Sequence, residues 1–79
     1  MARGCMYLAD YDGVGIVART PQEVMKRLLN LEKEAYYPGW RSLVTAELVG
    51  PDEHGDYAVE IHYANELVES VRVRRDCIA

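Results

Sequence analysis

Tyr11-Asp12-Gly13-Val14-Gly15-Ile16-Val17-Ala18-Arg19-Thr20-Pro21-Gln22-Glu23-Val24 decides the fold, because it turns one strand into another and then starts a helix. Asp12-Gly13 between two apolar runs signals a two-residue hairpin, since both central residues of a type I′ turn need positive φ. Residues 5–19 therefore read as a hairpin. Gly15 inside the second run points to a bulge or a close backbone approach. A phosphate cradle at Gly13-Val14-Gly15 lacks both the third glycine and the helix start it would need.

Thr20 suits the N-cap, Pro21 the first helical position, and Glu23 completes a capping box. Val24, Met25, Leu28, Leu29, Leu31, Ala35 and Tyr36 then recur at helical spacing. Glu23, Lys26, Arg27, Asn30, Lys33 and Glu34 form the opposite, polar side. Pro38-Gly39 should stop the helix near Tyr37. A chain of 79 residues buries one thin core, so the stripe belongs to that core and no deep pocket is expected.

Three more strands follow. Ser42 to Val49 places Val44, Ala46 and Leu48 on one face, with Leu43, Thr45 and Glu47 on the other. Gly50-Pro51-Asp52-Glu53-His54-Gly55-Asp56 is a turn cluster, expected to be mobile. Tyr57 to Tyr63 separates Tyr57, Val59, Ile61 and Tyr63 from Ala58, Glu60 and His62. Leu67 to Arg75 separates Val71 and Val73 from Arg72 and Arg74, which are expected to pair across to the Glu60 row; Leu67-Val68-Glu69 could alternatively form a helical turn. The expectation is a single α+β domain over residues 1–79: one antiparallel sheet in ββαβββ order, with the amphipathic helix on one face.

Charge is unevenly distributed along the chain. Its net value is −4, yet residues 42–71 hold no lysine or arginine and seven acids: Glu47, Asp52, Glu53, Asp56, Glu60, Glu66 and Glu69. That stretch carries −7 and the remainder +3. An acidic sheet face complements a basic groove and speeds encounter with it; acids also serve solubility and keep strand edges unpaired. Six tyrosines, one tryptophan and no phenylalanine favour half-exposed aromatic positions. Tyr36, Tyr37 and Trp40 form the densest cluster, fitting a cap over the core end or a contact surface.

Apolar content of 49% and charged content of 28% describe an ordinary globular chain. No apolar run is long enough to cross a membrane and no secretory signal is apparent, so a cytoplasmic setting is expected, the host's if the chain is phage-encoded. Cys5 and Cys77 accordingly read as thiols, with a terminal staple open to them only if the first and last strands are neighbours. Cys5, His54, His62 and Cys77 share no short ligand spacing, so neither a metal nor another cofactor is expected. His62 with Glu60, and His54 among Asp52, Glu53 and Asp56, are the best acid–base groups, but on a flat face and in a turn. No catalytic residue is assigned.

Tyr11-Asp12-Gly13-Val14-Gly15-Ile16-Val17 running into Thr20-Pro21-Gln22-Glu23-Val24, within residues 5–37, resembles the hairpin-plus-helix half of HicB-type antitoxins. That resemblance implies binding to a small basic RNase toxin. In size, acidity and lone-domain organisation the chain is also similar to small phage-encoded inhibitors of bacterial defence, such as anti-CRISPR proteins. That second likeness implies acids presented where phosphates would lie.

The expected function is therefore non-enzymatic blockade of a basic nucleic-acid-handling protein or nucleoprotein complex. Its contact residues would be Glu47, Asp52, Glu53, Asp56, Glu60, His62 and Glu69, with Tyr36, Tyr37 and Trp40. Alternatives are a regulatory domain that dimerises through its open face, or a nucleic-acid or ligand module using Trp40, Tyr36 and Tyr37. An acidic chain disfavours direct nucleic-acid binding.

Overall fold

The structure is a computed structural model and describes residues 4–35, 44–64 and 66–77. Its elements are β1 (Cys5–Tyr11), β2 (Val14–Ala18), α1 (Pro21–Ala35), β3 (Thr45–Val49), β4 (Tyr57–His62) and β5 (Val68–Cys77). All strand pairs are antiparallel, and the spatial order is β2-β1-β5-β4-β3. The ββαβββ sequence is as expected, and the last strand inserts between the first and the fourth.

Local chemistry explains the first half. Asp12 and Gly13 take φ of 51° and 79°, and Tyr11 faces Val14 across the turn. Gly15 stays in register opposite Asp10, so it is neither a bulge nor a close approach. The Glu23 N–H donates to Thr20 Oγ1 at 3.2 Å, as an N-cap requires. Val24 and Leu28 are fully buried, and α1 packs on β1, β2, β3 and β4. The expected helix stop near Tyr37 lies outside the described residues, as do Ser42 and Leu43 at the expected start of the third strand, which begins at Thr45.

Period-two alternation sets the faces. Ala9, Ile16, Ala18, Val44, Val59, Ile61, Val71 and Val73 are buried with Val24 and Leu28 in one core. Tyr7, Tyr11, Tyr57 and Tyr63 pack half-buried against that core, and Tyr7 meets Tyr57 edge-on at 5.9 Å. These tyrosines extend a core of small aliphatic residues. The opposite, wet face carries Leu8, Asp10, Glu47, Glu60, His62, Ser70, Arg72 and Arg74.

β5 is shared between two ladders that meet end to end. Val68–Val73 pairs with β4, whereas Arg74–Cys77 pairs with β1. Leu67-Val68-Glu69 is no helical turn, because the strand begins at Val68. Cys5 and Cys77 stand opposite each other at the far end and are joined as a disulfide. The thiol expectation is corrected: adjacent terminal strands bring the two side chains together, which sequence separation concealed.

Candidate functional site

The turn between β3 and β4, expected to be mobile, carries hydrogen bonds within itself and to β5. Asp52 Oδ1 accepts the N–H groups of His54 at 2.8 Å and Asp56 at 2.9 Å. The Asp52 N–H donates to the Asp56 carbonyl at 2.9 Å. Asp56 in turn accepts the Arg75 N–H at 2.9 Å and an Arg72 guanidinium N–H at 2.8 Å. Those donors hold its carboxyl below the usual aspartate range, the Arg75 backbone contact most strongly. Gly55 has φ of +80°, and a Cβ there would run into the Arg75 guanidinium. Asp52 and Asp56 are therefore occupied in architecture. Arg72 shares the open face with Glu60, as expected, but its register partner is Ala58 and its ion pair is with Asp56, while Arg74 pairs with Leu8 of β1 rather than with the Glu60 row.

Glu69 also leaves the expected surface. It lies on the helix-covered face, accepting the Tyr63 hydroxyl at 2.9 Å and the Tyr11 hydroxyl at 3.4 Å. Glu32 on α1 is buried beside them. Burial raises its carboxyl above the ordinary range, a hydrogen bond with Tyr63 opposes that, and the Glu69 charge adds to it. Sequence reasoning missed Glu32 although the signal was present: it lies four residues after Leu28, on the buried stripe.

Glu47, Glu60 and His62 do converge. Glu47 and Glu60 are direct cross-strand partners, and His62 follows on the same face of β4. His62 Nε2 lies 3.9 Å from Glu47 Oε2 and 3.9 Å from Glu60 Oε1. No lysine or arginine pairs with either carboxylate among the described residues. Exposed Glu53 sits near His54 at 3.5 Å in the turn between β3 and β4. Tyr36, Tyr37 and Trp40 lie outside the described residues.

A separate open cleft of about 530 Å³ forms where β1 and β5 diverge beyond the Leu8–Arg74 pair. Leu8, Asp10, Asp12, Ser70, Arg72 and Arg74 line it with mixed charge. Ser70 also stands opposite Glu60, close in register to His62. No hydrogen bond joins Ser70 to His62 among the described residues; the imidazole Nε2 lies 3.9 Å from each of the two carboxylates.

Comparison with protein-family models, curated proteins and solved structures finds no match. No helix is long and apolar enough to cross a membrane among the described residues.

Proposed function

We propose that this chain is a non-enzymatic binding protein that blocks a basic, nucleic-acid-handling partner in a host cytoplasm, as antitoxins and anti-CRISPR proteins do. One observation supports this above the others: Glu47 and Glu60 stand side by side on the wet face with no cationic side chain offsetting them among the described residues. Two adjacent carboxylates repel each other across strands. A basic partner relieves that repulsion and gains steering from the chain's net negative charge. Glu53 adds exposed negative charge on the turn between β3 and β4, while Asp56 is held by Arg72 and Arg75, and Asp52 Oδ1 and Glu69 Oε2 already accept hydrogen bonds.

The acid pair lies far from the Cys5–Cys77 bridge. Ser70, opposite Glu60, is about 23 Å along β5 from Cys77, so opening the bridge leaves the acid pair on its own ladder.

The test is co-purification from a host lysate, followed by calorimetry with the recovered partner. Replacing both Glu47→Lys and Glu60→Lys should weaken binding at least tenfold, and wild-type affinity should fall as salt rises. Undiminished binding by the double variant removes the proposal. A symmetric dimer burying this face, seen by analytical ultracentrifugation, would favour the regulatory-domain alternative instead.

A further inference from the structure

We infer that His62, Glu47 and Glu60 form a site for a divalent transition-metal ion of the zinc class. The donor set suits it: one imidazole nitrogen and two carboxylates, from adjacent strands whose backbone ladder fixes their spacing. The three donor atoms all lie within 4.8 Å of one another. Donors around a tetrahedral zinc ion stand roughly 3.3 Å apart, given bonds of about 2.0–2.2 Å. His62 Nε2, at 3.9 Å from each carboxylate, therefore needs only a small closure. The Glu47 side chain is 68% exposed and has room to make it.

The second argument is independent of the cluster's composition. His62 Nε2 has essentially no solvent contact and no hydrogen-bond partner, although the rest of its side chain is part exposed. A polar atom cut off from both water and protein is costly to leave unmatched. The Glu47 and Glu60 oxygens, each 3.9 Å away, lie beyond hydrogen-bond reach of it. A bound cation matches the nitrogen and relieves the Glu47–Glu60 repulsion at once. Three protein ligands leave coordination positions for water.

Periodicity placed Glu60 and His62 on one face, but the sequence offered no ligand spacing, because Glu47 arrives from the neighbouring strand. The inference does not rest on the basic-partner proposal. The two are linked nonetheless: a dication would neutralise the acid pair, so metal should weaken any basic partner held there.

The experiment titrates zinc chloride into the full chain, followed by calorimetry and by histidine side-chain 15N NMR. One ion per chain should bind, with the His62 Nε2 resonance moving to its metal-bound position and His54 unmoved. The Glu47→Gln, Glu60→Gln pair should weaken binding at least tenfold, and His62→Ala should do the same, while His54→Ala leaves it intact. Absence of saturable binding overturns the inference, as does binding that persists without His62 or follows His54. The NMR readout needs no variant, so it decides the matter even if a substitution unfolds the chain. Partner binding can fail without touching this result.

Discussion

Glu32 stands where a helix facing a sheet would normally carry an apolar side chain. Its burial favours the neutral carboxyl, while Tyr63 and Glu69 set the local polarity. Because its folded-state pKa is raised, its stabilising contribution is full at low pH and is lost as pH rises through that folded value. Glu32→Gln keeps the shape of the protonated form and removes the titration. The variant should therefore melt a few degrees higher than wild type at pH 7, with the gap closing toward pH 4. Urea unfolding at both pH values checks this, and a variant less stable at pH 7 would contradict it. The stripe position of Glu32 was legible from its spacing to Leu28. Its partners were not, because Tyr63 and Glu69 reach it from other segments.

Among elements, the turn between β3 and β4 shows what side chains add to a ladder. The last β4–β5 pair is Tyr57 with Val73, and Arg75 lies beyond it. The Asp56 carboxylate takes the Arg75 N–H that no β4 residue reaches, and Arg75 also donates to the His54 carbonyl at 3.2 Å. Since the Asp56 pKa is depressed on folding, its contribution holds above the unfolded value and disappears as pH falls through the folded one. Asp56→Asn should lower the melting midpoint by a few degrees at pH 7, and the deficit should vanish in strong acid. Thermal melts across pH 2–7 test it; a deficit that persists at pH 2 would point to lost shape rather than lost charge. Gly, Pro and Asp marked this segment as a turn from sequence alone. That the turn is clamped onto β5 depends on a strand about twenty residues later, which local turn chemistry does not encode.

At the scale of the whole molecule, β5 is the member both halves require. Hairpin, helix cap and strand faces were legible because they follow from neighbours in sequence: Asp12-Gly13, Thr20 with Glu23, and the alternation of β4. The place of β5 between β1 and β4 was not, since many strand orders satisfy the same alternation. Only the cysteines carried a long-range hint, and they act together only when the terminal strands are adjacent. The β1–β5 ladder is short, running from Cys5 to Leu8, and the disulfide closes it across a separation of 72 residues. A loop of that size limits the unfolded chain enough to stabilise the fold by about 4 kcal/mol in the chain-entropy account. Reduction should then lower the melting midpoint by roughly 15–30 °C, and Cys5→Ser with Cys77→Ser should reproduce the drop. A midpoint that moves by only a degree or two on reduction would mean that the β1–β5 ladder and the α1 contacts already hold the two halves together without the bridge.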